Sequence, residues 1–320
     1  MNHSLLPDEC ALQHGRAPRP LPLFLEMVRV VGERDPETAR AALEGLAKYE
    51  RTPRLSERPA RPIAAQVEGA ALYDFGGDGP TAILVPSLIN PPSVLDLDVG
   101  QHVEKLLLPL VAQLDHPPAL IGYCLGGTMT IAAANLACVE RVATVASPWR
   151  FSDYPDESRR SLVDLWRHAR SAAASLKALP MEVLQAAFWS LDPPRTVKKF
   201  ADFSKVDPAS PEARRFAVLE DWANEGEALP LPSARELIED FFGADLPGKG
   251  EWRVFGQAIT DEIAVPLLSF TAARDRITPS ESAPHGAIRE IPAGHVGMVV
   301  GSARGQLHEA LAAFLDPACR

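Results

Sequence analysis

The sequence predicts an α/β fold, with a mostly parallel β-sheet, helices on both of its faces and a helical insertion. Short apolar runs suited to buried parallel strands alternate with helical segments over residues 63–149. Strand signals disappear over residues 150–250, where helical segments follow one another, and the β pattern resumes over 251–320. We therefore predict two core parts separated by a helical cap, preceded by a helical segment and linker over residues 1–62.

The first half of the chain contains both kinds of element. Asp35-Pro36-Glu37 is typical of a helix start, because it combines a cap, a first-turn proline and an early acid. The predicted helices are Leu21–Val31, Asp35–Glu50, Val99–Leu114 and Gly126–Cys138. The predicted strands are Thr81–Val85, Ala119–Ile121, Val142–Ala146 and one within Ala65–Phe75.

The second half begins with the predicted cap. Its helices are expected at Glu157–Ala178, Met181–Trp189, Pro194–Phe203, Pro211–Asn224 and Ser233–Gly243. Strands are expected at Trp252–Phe255, Pro266–Thr271 and Ile288–Ile291, and a last helix at Ser302–Phe314.

Composition excludes several classes of protein. The 320 residues are 46% hydrophobic with a formal net charge of -10, which argues against nucleic acid or an anionic membrane as the main partner. The first ten residues lack a signal-peptide pattern, and no apolar run reaches membrane-spanning length. The spacing of Cys10, Cys124, Cys138 and Cys319 suits neither zinc nor a disulfide framework, so we expect free thiols in a cytoplasmic protein and no metal.

Residues 122–127, Gly-Tyr-Cys-Leu-Gly-Gly, stand between a predicted strand and a predicted helix. This is the pattern of a nucleophile elbow, in which small neighbours at Gly122 and Gly126 allow a strained turn at Cys124. The thiol would sit at a helix start, where the helix dipole favours the thiolate. The backbone N–H of Leu125 would face a developing oxyanion.

A thiol nucleophile needs a base and an acid that orients it. In the α/β-hydrolase fold these follow the nucleophile in the order acid, then histidine. Asp275 follows one predicted strand, and His295 lies between glycines after the next. Asp261 and Glu262 are alternative acids, and His285 is an alternative base that lacks the strand-then-turn setting.

The elbow resembles both the dienelactone hydrolases and the polyhydroxyalkanoate synthases. Four segments resemble the synthases in particular: Val85-Pro-Ser-Leu-Ile-Asn90 with Val94-Leu-Asp-Leu, Ser147-Pro-Trp-Arg-Phe151, Asp275-Arg-Ile-Thr-Pro, and Gly294-His-Val-Gly-Met-Val-Val-Gly301. The helical insertion fits the synthase cap, whereas the small dienelactone hydrolases lack one. The resemblance covers roughly residues 65–315.

The resemblance implies roles for the site residues. Cys124 would carry the acyl group, His295 would activate the thiol and the incoming hydroxyl, and Asp275 would assist His295. A second oxyanion N–H would come from Leu88 or Ile89. The substrate would be a hydroxyacyl coenzyme A thioester, with no bound cofactor. A homo-oligomer and association with polyester granules are compatible with this expectation.

Three features depart from the synthase pattern. Arg276 stands where the family often has histidine, and Pro91-Pro92-Ser93 replaces a common tyrosine. The chain from Asn90 to Gly122 holds one predicted helix, so the core is expected to lack one βα unit. Its loss would leave Thr81–Val85 near an open sheet edge or force earlier strands to pair differently.

Three functions fit the sequence. The first is acyl transfer through a Cys-His-Asp triad to a hydroxyl acceptor. The second is hydrolysis of an ester, thioester, polyester or lactone by the same triad, with water as the acceptor. The third is a non-catalytic granule-binding or partner-binding protein that retains the elbow.

Overall fold

The computed structural model describes residues 17–53, 61–88, 97–224 and 226–316. It contains two compact units, one formed by residues 1–57 and 192–225 and the other by residues 58–191 and 226–320. Residues 192–225, predicted as part of the cap, thus belong to the same unit as the N-terminal helices. The four-part division at residues 62, 149 and 250 remains a proposal.

The smaller unit is built from α1 (Leu21–Gly32), α2 (Pro36–Arg51), α8 (Pro193–Phe203) and α9 (Pro211–Asn224). Asp35 caps α2 by accepting a hydrogen bond from the Thr38 N–H, which confirms the predicted helix start. A Cβ at Gly45 would lie 1.9 Å from the carbonyl oxygen of Phe200, so only glycine allows α2 and α8 to approach this closely.

The larger unit contains a five-stranded sheet whose strand pairs are all parallel. Its order is β11-β10-β5-β4-β3. The bounds are Ala82–Val85 for β3, Ala119–Tyr123 for β4, Arg141–Val145 for β5, Leu267–Ala272 for β10 and Ala287–Ile291 for β11. The predicted α/β fold and its parallel sheet are confirmed.

Helices cover both faces of this sheet. On one face, Leu120 and Val142 belong to a buried cluster with Ile131 of α5 (Leu125–Leu136). On the other face, Val145 and Phe270 share a cluster with Leu307 of α12 (Arg304–Leu315). The alternation of side chains along each strand separates these two clusters.

The crossover from β3 to β4 is short. Its described part, residues 97–118, contains α3 (Val99–His102), a π-helical turn (Val103–Leu107) and α4 (Leu108–Val111), but no strand. Within the described ranges β3 pairs with β4 alone and is an edge strand. This is the open edge expected from a missing βα unit, and 68% of Leu84 is exposed there.

The strand predicted within Ala65–Phe75 is two strands. β1 (Ile63–Val67) and β2 (Ala70–Tyr73) form an antiparallel hairpin separate from the main sheet. The turn contains Gly69, whose φ of 91° is readily adopted by glycine.

The strand predicted at Trp252–Phe255 also lies outside the main sheet. It is β8 (Arg253–Val254), paired with β9 (Gln257–Ala258) in a small hairpin. Phe255 and Gly256 both have positive φ, which suits a tight two-residue turn.

The insertion also differs in one respect from its prediction as purely helical. β6 (Ala178–Leu179) and β7 (Leu229–Pro230) pair antiparallel, and two-residue strands are too short to show periodicity in a sequence. The helices of the insertion in this unit are α6 (Asp156–Leu176), α7 (Met181–Ser190), α10 (Leu231–Arg235) and the π-helical segment Glu236–Gly243. The remaining short helical segments are Phe151–Asp153, Ser280–Ser282 and α11 (Gly297–Val300).

Hydrogen bonds of Glu236 link the insertion to the start of α3. Its carboxyl accepts hydrogen bonds from the backbone N–H groups of Val99 and Gly100 and from the indole N–H of Trp252, the last at 2.7 Å. Burial, with a further contribution from the charge of Asp98, raises the pKa of Glu236 to about 7, although the hydrogen bonds oppose this rise.

This raised pKa predicts a specific dependence of stability on pH. Between about pH 4.5, the ordinary pKa of the group, and about pH 7, the folded state binds this proton more tightly than the unfolded state. The contribution of Glu236 to the free energy of unfolding therefore falls as pH rises, by up to about 1.4 kcal/mol per pH unit. Urea unfolding of the native protein and Glu236→Gln at several pH values checks this, because the difference between them should change only within that window.

Candidate active site

Cys124 occupies a strained turn between β4 and α5. Its φ is 53° and its ψ is -128°, a conformation that non-glycine residues rarely adopt. The strand, strained turn and helix predicted around Cys124 are therefore present, and its role as a nucleophile stays a prediction. The first residue of α5 is Leu125, so the thiol stands at the N-terminus of a 12-residue helix.

Three glycines make room for the elbow. A Cβ at Gly122 would lie 2.3 Å from the Cα of Gly127, and a Cβ at Gly126 would lie 2.3 Å from the carbonyl oxygen of Val85. A Cβ at Gly127 would lie 2.0 Å from the hydroxyl oxygen of Ser147, a contact that sequence reasoning missed. The Ser147 hydroxyl in turn donates to the Gly122 carbonyl oxygen at 3.2 Å, so the elbow is packed against the ends of β3 and β5.

The predicted acid and base meet beside the elbow. His295 Nδ1 lies 2.8 Å from Asp275 Oδ2, and the Asp275 side chain is fully buried. The other carboxylate oxygen of Asp275 accepts hydrogen bonds from the backbone N–H groups of Ile277 at 2.8 Å and Thr278 at 2.9 Å. These bonds fix the carboxylate, which then orients the imidazole ring.

His295 also forms a hydrogen bond with the thiol of Cys124. Burial opposes the thiolate, but the charge of His295 and hydrogen bonds from His295, Ser87 and the Leu125 N–H together lower the pKa of Cys124. Burial likewise opposes the imidazolium, but hydrogen bonds to Asp275 and Cys124 raise the pKa of His295. These two shifts favour a thiolate–imidazolium pair, and the thiolate is the more nucleophilic form of a cysteine side chain.

The alternative acid and base form a pair of their own. His285 Nδ1 lies 3.0 Å from Asp261 Oδ2, with 69% of the His285 side chain exposed. Neither residue, nor Glu262, lines the cavity beside Cys124. The structure thus brings Asp275 and His295, rather than these alternatives, to the thiol.

The structure describes two of the three residues predicted as oxyanion donors, Leu125 and Leu88. The Leu125 N–H hydrogen-bonds the Cys124 sulfur, and its role as an oxyanion donor stays a prediction. Leu88 is buried in the core next to β3, and Ile89 lies outside the described residues. The second donor therefore remains a prediction.

Two residues near the nucleophile were missed from the sequence. The Ser87 side chain hydrogen-bonds the Cys124 sulfur. Its only sequence signal was a hydroxyl residue in the segment from Pro86 to Asn90. The Tyr123 ring packs against His295, with 5.2 Å between ring centroids, and helps to bury the imidazole.

A cavity of about 620 Å³ opens beside Cys124. Residues of α6, α7 and the π-helical segment form much of its wall, and Arg276, one of the departures from the synthase pattern, also lines it. Within the described ranges no group of three or more His, Cys, Asp or Glu residues could hold a metal ion. None of the helices described here is long and apolar enough to cross a bilayer.

The chain has the architecture of the α/β-hydrolase fold, with a parallel sheet, a strained turn at Cys124 after β4, and Asp275 and His295 after β10 and β11. No protein-family profile matches it. It is similar to the poly(3-hydroxyalkanoate) polymerase subunit PhaC of Haloferax mediterranei, with 24% identity over 197 residues, 57% of this chain and 40% of the relative. The chain thus spans less than half the length of this polymerase subunit.

Solved structures with a similar fold include hydrolases. A hydrolase from Pseudomonas aeruginosa has a TM-score of 0.48 and 17% identity, covering 80% of this chain and 97% of its own. A monoacylglycerol lipase from Paleococcus ferrophilus has a TM-score of 0.42 and 13% identity, covering 74% of this chain and 95% of its own. The fold assignment itself rests on the strand order and the elbow described above.

The close packing around the elbow predicts that one added methyl group at Gly126 lowers the free energy of unfolding. Gly126→Ala would push a Cβ against the backbone carbonyls of Val85 and Pro86, costing at least about 1–3 kcal/mol of unfolding free energy. Gly305→Ala is the matched control, because Gly305 is helical and a Cβ there meets no atom within 4 Å. Thermal unfolding should show a lowered midpoint for Gly126→Ala alone.

The lowered thiol pKa predicts selective alkylation. At pH 6, iodoacetamide should label Cys124 faster than the exposed Cys138, because only a thiolate is an effective nucleophile. His295→Ala should slow labelling of Cys124 at least tenfold at this pH and leave Cys138 unchanged. Peptide mass spectrometry over pH 5–9 measures both sites in one sample, and equal profiles for the two cysteines would contradict the ion pair.

Proposed function

We propose that this protein is a cysteine-dependent acyltransferase that moves a hydroxyacyl group from a coenzyme A thioester to a hydroxyl acceptor. The observation that carries the proposal is the hydrogen-bonded series from Cys124 to His295 to Asp275, beside a cavity of about 620 Å³. The similarity to a poly(3-hydroxyalkanoate) polymerase subunit supports a hydroxyacyl substrate. Because the chain spans 40% of that relative, polymer formation, granule association and self-assembly are proposals as well.

In the first step the Cys124 thiolate attacks the carbonyl carbon of the thioester. A carbon–sulfur bond to Cys124 forms, the bond to the coenzyme A sulfur breaks, and the proton of the His295 imidazolium passes to the departing sulfur. The Leu125 N–H stabilises the negative charge that develops on the carbonyl oxygen.

In the second step an acceptor hydroxyl attacks the acyl group on Cys124. Neutral His295 takes the hydroxyl proton through Nε2, an ester bond forms, and the thiolate leaves as the imidazolium is restored. Asp275 keeps Nδ1 protonated and directs Nε2 towards the reacting atoms, as its 2.8 Å hydrogen bond supports. A thiol suits the first step, since transfer of an acyl group from the coenzyme A sulfur to the Cys124 sulfur is nearly balanced in energy.

The test is intact-protein mass spectrometry after brief mixing with 3-hydroxyacyl-coenzyme A of four and ten carbons. We expect a hydroxyacyl adduct on the native chain and none on Cys124→Ala. The loss of acid–base catalysis in His295→Gln should slow adduct formation about 10²- to 10⁴-fold. His285→Gln is the matched control, because His285 is also paired with an aspartate but lies outside the cavity.

The fate of the adduct separates the three functions. Transfer to an added hydroxyalkanoate ester, or a series of masses that grows by one hydroxyacyl unit, supports acyl transfer. Decay to free acid at the same rate with and without the acceptor indicates a hydrolase that uses the same triad. The absence of any adduct with either thioester contradicts the proposal and favours a non-catalytic binding protein.

A further inference from the structure

The cavity beside Cys124 is mostly walled by large apolar side chains. Leu162 and Leu165 come from α6, Leu184 and Phe188 from α7, and Ile238 and Phe242 from the π-helical segment. A surface of this kind binds hydrocarbon, because a bound chain removes its own apolar area and that of the wall from water. The reacting carbonyl would lie at Cys124, so the rest of the acyl group would extend along these helices.

The volume of the cavity indicates how long an acyl chain it can hold. A cavity of about 150 Å³ lined by aliphatic and aromatic side chains holds one benzene molecule. At about 620 Å³, this cavity has roughly four times that volume, enough for a chain of about ten carbons together with the thioester. A four-carbon acyl group would leave most of the apolar wall without contact.

One part of the wall is polar. Tyr154 is buried among Phe151 and Phe242, and its hydroxyl forms hydrogen bonds with the side chains of Thr278 and Ser282. Thr278 also lines the cavity and stands on the loop that Asp275 fixes through the Thr278 N–H. Tyr154 and Thr278, two residues with hydroxyl groups, thus both line the cavity beside Cys124.

We infer that the cavity accepts a medium-chain acyl group of about eight to twelve carbons, and that Tyr154 and Thr278 bind a hydroxyl group on it. This inference rests on the proposed acyl transfer and specifies its substrate. Tyr154 is then a specificity-determining residue, because its hydroxyl has one donor and two acceptor sites, and its hydrogen bonds to Thr278 and Ser282 leave one site for the substrate hydroxyl. Each methylene buried along the wall adds roughly a three- to fourfold preference, which amounts to at least about 100-fold between four and ten carbons.

The experiment compares three thioesters: 3-hydroxybutyryl-, 3-hydroxydecanoyl- and decanoyl-coenzyme A. Rates of acylation of Cys124 come from rapid mixing and mass spectrometry, and affinities come from calorimetry with Cys124→Ala. We expect the ten-carbon hydroxyacyl thioester to acylate at least 100-fold faster than the four-carbon one and to bind more tightly. A four-carbon thioester that reacts and binds as well as the ten-carbon one overturns the inference.

Two variants locate the preference in the cavity. Ala187→Trp fills the α7 wall and should reduce the ten-to-four-carbon ratio at least tenfold, whereas Ala172→Trp, exposed on α6 and outside the cavity, should leave it unchanged. Tyr154→Phe should bring the rates for 3-hydroxydecanoyl and decanoyl thioesters to within about twofold while preserving the chain-length preference. Unaltered ratios in both cavity variants contradict the assignment.

The two measurements distinguish this inference from the proposed function. If Cys124 forms no adduct with any thioester, while Cys124→Ala still binds the ten-carbon chain more tightly, acyl transfer fails and the chain-length preference stands. If acylation occurs with no preference in rate or affinity, acyl transfer stands and the inference fails.

Discussion

The positive φ of Cys124 is the constraint on which the rest of the site depends. A strained cysteine, at a cost on the order of 1–3 kcal/mol, persists only when its surroundings fix it. Here one fixing contact is between backbones, where the end of β3 lies against Gly126, and another is the hydrogen bond that the Ser147 hydroxyl donates to the Gly122 carbonyl. The same contacts bring Ser87 and the first N–H of α5 to the sulfur. Packing at the elbow and the electrostatics of the thiol therefore have a common origin.

Burial and charge have opposite effects on the protonation of Cys124 and His295. Burial alone would keep both Cys124 and His295 neutral, since a low-dielectric environment disfavours charged groups. Their opposite charges, together with the buried Asp275, reverse this preference for the pair as a whole. Removing one partner would leave the other charge buried without compensation, so the three side chains behave as one electrostatic unit.

Local patterns in the sequence predicted the parts of the fold that depend on local contacts. The elbow followed from glycine spacing between a strand and a helix. Asp275 and His295 were chosen because each follows a predicted strand, in the chain order known for the α/β-hydrolase fold. The break between β1 and β2 and the pairing of β6 with β7 depend on contacts between distant residues, which periodicity does not report. The hydrogen bond from Ser87 to Cys124 was equally hidden, because it forms only when β3 lies against the elbow. The grouping of residues 192–225 with the N-terminal helices also arises from tertiary packing.

The edge position of β3 has a consequence for how this fold tolerates change in chain length. Cys124, Asp275 and His295 follow β4, β10 and β11. In the described part of the sheet, the pairing of these strands does not involve the free side of β3. The sheet can therefore gain or lose strands beside β3 without a change in the order of its other strands. Gain or loss of a βα unit there would leave the spacing of Cys124, Asp275 and His295 unchanged. The segment after β3, which carries Ser87, is the part of the candidate site that such a change would alter first.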